Sequence, residues 1–198
     1  MSLEENPYII VEDFIDPEYC KSLAQYFVEN MEEDPRDFYA TYGIGNNNDF
    51  FLKETPQTRN FDPEFKIHET IHFAYNLFKN TYPMVGEFEL NRSHANMMFT
   101  ESFLNSHKDD RNFDEPIEGL ASRTYVCGLF LTDDYEGGEL TFEDYGISLK
   151  PKPGTLVLFP GYYTRHGVNK VTSGTRINIL SHFFDIVDRD NVNSSYML

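Results

Sequence analysis

Ser106-His107-Lys108-Asp109 opens the stretch that decides how this 198-residue chain is read. Tyr163-Thr164-Arg165-His166-Gly167, followed by Gly174-Thr175-Arg176, closes it. Side chains on a strand alternate with period two, so His107 and Asp109 are expected to point to the same side. One imidazole and one carboxylate from one strand, with a second imidazole from a later strand, occupy one face of an octahedral metal and leave three positions open. That set suits non-haem Fe(II) that must bind a cosubstrate and O2 together. Arg176 adds a planar cationic fork able to grip a carboxylate at two points.

Between and around these residues the pattern is that of short strands. Glu87 to Phe99 reads as one or two strands, and Phe103 to Asp109 as the strand bringing in the first two ligands. Asp110 to Ser122 is a polar insert with Pro116 and Gly119, hence a loop beside the metal. Arg123 to Thr132 is a long strand, Asp133 to Gly138 a turn, Glu139 to Phe142 a strand, and Asp144-Tyr145-Gly146 another turn. Pro151-Lys152-Pro153-Gly154 leads into a buried strand, Thr155 to Phe159, ended by Pro160-Gly161. Arg165 to Val171 and Thr175 to Asp185 follow, joined at Thr172-Ser173-Gly174. Many short strands separated by Gly/Pro turns indicate a β-sandwich or barrel.

The order of these motifs carries a resemblance. His107-x-Asp109, Glu136-Gly137-Gly138-Glu139-Leu140-Thr141-Phe142, Pro151 to Pro160, His166 and Arg176 together resemble the 2-oxoglutarate/Fe(II)-dependent dioxygenases, within them the prolyl 4-hydroxylase-like group. The resemblance implies a mainly β protein with N-terminal helices on the outer face of a double-stranded β-helix, a jelly roll. It implies one domain over 1–198, with about 1–85 as helical support and lid loop and about 86–190 as the core. It further implies Fe(II) on His107, Asp109 and His166, with 2-oxoglutarate chelating the metal and its far carboxylate on Arg176. O2 and ascorbate as reductant would complete the chemistry, in which a C–H bond is hydroxylated as succinate and CO2 are released. The intact Asp109 favours hydroxylation over halogenation, since halogenating relatives carry a small residue there. Peptidyl proline is the substrate this resemblance implies, and a free amino acid or small metabolite is the alternative. One departure concerns the cosubstrate: the tyrosines usual before the H-x-D are replaced by Asn96-Met97-Met98-Phe99 and Phe103-Leu104. Tyr125 on the next strand and Asn178, on the face of Arg176, are the candidate substitutes.

The N-terminal part reads differently. Tyr8 to Val11 is a short strand, and Asp16-Pro17-Glu18 signals a helix start, with Asp16 as N-cap, running to about Asn30. Glu32 to Asn60 loses regular pattern and is a candidate substrate lid. Asp62-Pro63-Glu64 starts a second helix, to about Thr81, which contains His68-Glu69-Thr70-Ile71-His72. That spacing matches the HExxH of zinc hydrolases, in which two His bind the metal and Glu is the base. The positions where a metzincin would continue with Gly and His hold Tyr75 and Phe78. A zinc metallohydrolase and a non-catalytic jelly-roll binding module are the readings from other classes.

Composition bounds the partners. With 33 acidic against 16 basic residues the net charge is −17, so phosphate backbones are repelled and nucleic acid is a poor substrate class. No run reaches the length of a membrane span, and the acidic N-terminus lacks a basic signal-peptide region. Cys20 and Cys127 form neither a disulfide framework nor a zinc spacing, and Cys127 is expected to be a small buried residue. These features lead to the expectation of a cytoplasmic protein.

Overall fold

The computed structural model describes residues 7–29, 47–51, 67–81, 88–109 and 125–185. Twelve strands and two α-helices are seen among them. They are β1 (Ile9–Val11), α1 (Pro17–Glu29), β2 (Asn47–Phe51), α2 (Ile67–Thr81), β3 (Phe88–Met98), β4 (Leu104–His107) and β5 (Tyr125–Phe130). Then come β6 (Glu136–Gly137), β7 (Leu140–Phe142), β8 (Ile147–Leu149), β9 (Leu156–Phe159), β10 (His166–Val168), β11 (Val171–Ser173) and β12 (Arg176–Asp185).

Two antiparallel sheets make the frame, a jelly-roll core in a mostly β chain. The larger has the order β1-β9-β5-β12-β3-β2, and the smaller β4-β10-β7-β8; β11 and β6 form a separate ribbon. Neighbours in space are distant in sequence, as expected when consecutive strands cross between two sheets. Period-two alternation divides each central strand between two layers. Cys127 and Leu129 of β5, Leu156 and Leu158 of β9, and Ile177, Ile179 and Phe183 of β12 face one way. They meet Cys20, Leu23, Ala24 and Phe27 of α1 and Ala74 and Phe78 of α2. Val126, Phe130, Val157 and Phe159 face the other way and meet Leu140 and Phe142 of the small sheet. Because β5 is buried on both faces along its whole length, its sequence is a continuous apolar run rather than an alternating one.

Helix α1 begins as its sequence dictates: an Asp16 carboxylate oxygen accepts from the Glu18 and Tyr19 amides at 2.7 and 3.2 Å. Its apolar stripe docks on the large sheet. The helix start expected at Asp62-Pro63 and the insert from Asp110 to Ser122 lie outside the described residues, as does most of the expected lid. Both cysteines are free and buried; burial pushes the Cys20 thiol up to about 11 and Cys127 higher still. Among the described residues no helix is long and apolar enough to cross a membrane.

Several local expectations are corrected. Asn47–Phe51, expected within a loop, pairs with β3 as an edge strand; such pairing uses backbone groups, and polar side chains do not forbid it. Glu136-Gly137, expected in a turn, pairs with β11. The run Arg165 to Val171 divides into β10 and β11, because after Val168 the chain leaves the small sheet to pair with β6. Ile147–Leu149 is a further strand, on the edge of the small sheet.

Phe27 is fully buried where α1 meets the large sheet. Phe27→Ala is expected to lower stability by about 3–5 kcal/mol, the usual cost of emptying such a site. Denaturant unfolding of the two proteins checks this.

Candidate metal centre

β4 and β10 are antiparallel neighbours in the small sheet, and their register sets His107 opposite His166. The imidazole centroids are 4.5 Å apart. Each ring is fixed in the same way. His107 Nδ1 lies 2.8 Å from the Asn105 carbonyl, and His166 Nδ1 lies 2.9 Å from the Thr164 carbonyl. A carbonyl only accepts, so Nδ1 carries the proton in both rings and each Nε2 presents a lone pair. Both Nε2 atoms point at one carboxylate oxygen: Asp109 Oδ1 is 3.4 Å from that of His107 and 3.5 Å from that of His166.

Asp109 does not reach this point by strand alternation, as the sequence implied. β4 stops at His107, and Asp109 lies just past it. The contact that holds it comes from the Pro160-Gly161 turn, where the Gly161 carbonyl accepts the Asp109 amide at 3.1 Å. The carboxylate then lies against Gly161 so closely that a Cβ there would fall 1.9 Å from Asp109 Oδ2. Phe159, just before the turn, packs its ring on His166 at 4.6 Å.

Electrostatics complete the picture. Burial pushes the Asp109 carboxyl up, but when both imidazoles carry a second proton, on Nε2, the His166 charge, the hydrogen bonds from His107 and His166, and the His107 charge outweigh it. Together they hold it well below the ordinary carboxylate range. Asp109 Oδ2 is buried with no hydrogen-bond partner among the described residues. Three buried or half-buried acceptors converging in this way require positive charge between them, as protons or as a metal ion. Their ligand atoms all lie within 4.8 Å of one another, compatible with one ion. The set is two nitrogens and one oxygen on one side of a common point, the donor chemistry of non-haem Fe(II).

A second polar site lies on β12. The Arg176 guanidinium is buried over the Phe130 ring, 5.0 Å from its centroid, and donates to Asn178 Oδ1 at 2.7 Å. Met98 Sδ is 3.6 Å away. No carboxylate pairs with it among the described residues, and burial pushes its pKa down. Arg176 and Asn178 share the face of β12 turned towards the small sheet. Phe130 beneath the guanidinium belongs to the same interior cluster as Phe159, which packs on His166.

The structure therefore brings His107, Asp109 and His166 together and places Arg176 with Asn178. It does not bring Tyr125 to them. Tyr125 occupies the opposite face of β5 and packs on Phe78 of α2, with ring centroids 4.8 Å apart. Sequence parity explains this: Tyr125, Cys127 and Leu129 share the helix-covered face, and Phe130 the interior one. Two residues near the site went unread. In sequence Gly161 marks only the end of a strand, after Pro160, yet it packs on Asp109. Tyr135 stands in a turn-like sequence, yet it is buried beside Arg176. The HExxH helix does form, but His72 is exposed, and the side chains of His68 and Glu69 lie outside the described residues.

A jelly roll carrying two histidines and an aspartate on its small sheet, with a buried arginine on the large one, defines a class of metal-dependent oxygenase scaffold. Residues 93–184 match the family described as the 2OG-Fe(II) oxygenase superfamily. This segment contains His107, Asp109, His166, Arg176 and Asn178, and through it the chain is similar to that superfamily. It is 33% identical over 101 residues to a PKHD-type hydroxylase of Prochlorococcus marinus, covering 49% of this chain and 45% of that one. It is 26% identical over 125 residues to prolyl 3-hydroxylase 2 of Homo sapiens, covering 60% and 18%. The chain thus spans less than half the length of these relatives. In fold it is similar to a viral collagen prolyl hydroxylase of Paramecium Bursaria Chlorella virus-1, with a TM-score of 0.67, 15% identity, and 94% and 99% of the two chains covered.

Gly161 has ordinary backbone torsions, so alanine there meets only the steric conflict with Asp109 and with Val126. Gly161→Ala is expected to weaken divalent-metal binding by about tenfold or more, as displaced ligand supports do. Circular dichroism should show the fold retained, and calorimetric metal titration gives the affinity.

Proposed function

We propose that this chain is an Fe(II)- and 2-oxoglutarate-dependent hydroxylase acting on a prolyl residue in a peptide or protein. The observation that carries the reading is the convergence of His107 Nε2, His166 Nε2 and Asp109 Oδ1 on one point, each held in orientation by the backbone. The match of residues 93–184 to the 2OG-Fe(II) oxygenase superfamily supports the cosubstrate, and the hydroxylases among the similar proteins the reaction type.

In this reading His107, Asp109 and His166 would hold the metal, the two imidazoles through Nε2 and Asp109 as the oxygen ligand. When bound there, Fe(II) with 2-oxoglutarate and O2 supplies the oxidising chemistry, giving succinate, CO2 and a hydroxylated product. Arg176 binds the distal carboxylate of the cosubstrate, and Asn178 fixes the guanidinium by accepting its hydrogen bond. Phe130, Phe142 and Phe159 line the interior between the sheets and keep it dry, which strengthens both polar sites. Tyr163, exposed three residues before His166, has the Lys108 amine 5.3 Å from its ring centroid. This pair flanks the ligands on the outside, and Tyr163 offers a flat apolar surface against which a prolyl ring packs.

Anaerobic titration of the protein with Fe(II) and then 2-oxoglutarate tests the reading. A weak visible charge-transfer band is expected in the wild type, absent in His166→Ala and in Asp109→Ala, and needing far more 2-oxoglutarate in Arg176→Ala. Proline-containing peptides should then raise succinate formation above the uncoupled background. Peptides that fail where a free amino acid or small metabolite succeeds would move the substrate to that class. Iron binding that survives in both ligand variants would sink the metal assignment.

A further inference from the structure

The ladder between β4 and β10 is irregular where it carries the metal centre. His166 pairs with His107 and Val168 with Leu104, so two residues along β10 match three along β4. The extra residue makes a β-bulge at Asn105 and Ser106, opposite Gly167. Strict alternation would place Leu104 and His107, three residues apart, on opposite faces of the sheet. The bulge brings both to the interior. Leu104 packs there with the cluster of Met98, Tyr135, Val168 and Val171. His107 faces His166, which shares its side of β10 with Val168. Without the extra residue, seating Leu104 would turn the His107 imidazole to the outside.

Three contacts hold the bulge. Gly167 lets the strands approach closely there: a Cβ on it would lie 2.8 Å from the Leu104 carbonyl oxygen and 3.1 Å from the Ser106 amide nitrogen. The two carbonyls of the bulge both receive side-chain donors. Asn105 accepts from His107 Nδ1 at 2.8 Å, and Ser106 accepts from Arg165 Nη1 at 3.2 Å. Arg165 is half-buried and directly precedes β10, so its bond ties the ends of the two histidine-bearing strands together at the irregular point. A guanidinium is a charged donor, and such a bond is stronger than one between neutral backbone groups. The proposed function gives Arg165 no other task.

We infer that Arg165 is a positioning residue of the metal centre: its guanidinium holds the bulge at Asn105 and Ser106, and the bulge turns His107 to the side where His166 and Asp109 lie. The inference rests on the metal-binding reading proposed above. It gives the three ligands separate supports. His166 takes its aim from regular alternation along β10, with Phe159 packed on its ring. Asp109 is held by the Gly161 carbonyl. His107 alone follows an irregularity, and its aim depends on a side chain from the neighbouring strand. Loss of the Arg165 guanidinium is therefore felt at one ligand and not at the other two.

The test uses Arg165→Met, which keeps an apolar stem and removes the donors. Cu(II) is the probe, because it binds nitrogen ligands more tightly than Fe(II) and keeps weakened sites measurable. Electron paramagnetic resonance of the wild-type Cu(II) complex should show coupling to two imidazole nitrogens, and that of His166→Ala to one. Arg165→Met is expected to show one, with Cu(II) bound about tenfold or more weaker, the usual cost of losing a ligand's support. Adding Arg165→Met to His107→Ala should cost nothing further, since the arginine acts through that ring. Gly167→Ala attacks the same bulge from the other strand and should also give the one-nitrogen spectrum. Two nitrogens at unchanged affinity in Arg165→Met, or in Gly167→Ala if the first variant does not fold, would overturn the inference. Loss of both nitrogens, or a further loss of affinity in the double variant, would make Arg165 a general packing residue and overturn it too. A wild type whose copper spectrum shows no imidazole would overturn the metal centre itself, and the proposed function with it.

Discussion

The antiparallel pairing of β4 with β10 is the constraint on which the site depends. It places two histidines from distant parts of the chain opposite each other, in register. The backbone two residues before each ring then fixes the tautomer. Both free lone pairs consequently face inward, onto a buried carboxylate that Gly161 holds in place. The fold has built a demand for positive charge into its smaller sheet, and the rest of the interior is arranged to support it.

The two sheets divide the work. The small one carries the histidines, while the large one carries Arg176 and Asn178 on the face of β12 that looks back across the interior. Aromatic rings of both sheets connect the two groups: Phe130 under Arg176, Phe159 on His166, and Phe142 stacked on Tyr8 at 5.1 Å and edge-on to Phe159. The helices lie beyond the other face of the large sheet. Their contribution is to cover Cys127, Leu129, Leu156, Leu158, Ile177 and Ile179, which fixes the twist and spacing of the strands carrying Arg176. The same layering removes Tyr125 from consideration as a ligand contact. A side chain at an odd position of β5 belongs to the helical layer, whatever its chemistry.

The architecture and the cluster of His107, Asp109 and His166 were legible because both are written in local signals. Asp16-Pro17-Glu18 announces α1, the apolar run Thr155 to Phe159 announces β9, and the spaced His, Asp, His and Arg announce the polar groups. What escaped was set by tertiary contacts. Asn47–Phe51 and Glu136-Gly137 become strands only because an edge is there to receive them. Alternation along β4 gave the right location for Asp109 through the wrong cause, since the strand ends first and a turn from elsewhere positions the carboxylate. Tyr135 was hidden for the opposite reason. Its turn-like surroundings, Asp133-Asp134 before and Gly137-Gly138 after, are those of a solvated loop, and only the fold shows that the glycines clear space for a buried ring.

The interior thus presents two opposite electrical requirements. At one end, acceptors from His107, Asp109 and His166 need a cation. At the other, a buried guanidinium with no carboxylate partner among the described residues needs an anion. Neither need is met by the surface of the protein, although its net charge of −17 supplies carboxylates in excess; among the described residues none of them pairs with Arg176. A metal ion alone would satisfy only the first end, and a simple anion only the second. A small molecule with a carboxylate at one end and a metal-chelating group at the other satisfies both when the metal is present. On the function proposed above, the arginine and the histidines would serve one such molecule, and binding at either end would favour binding at the other.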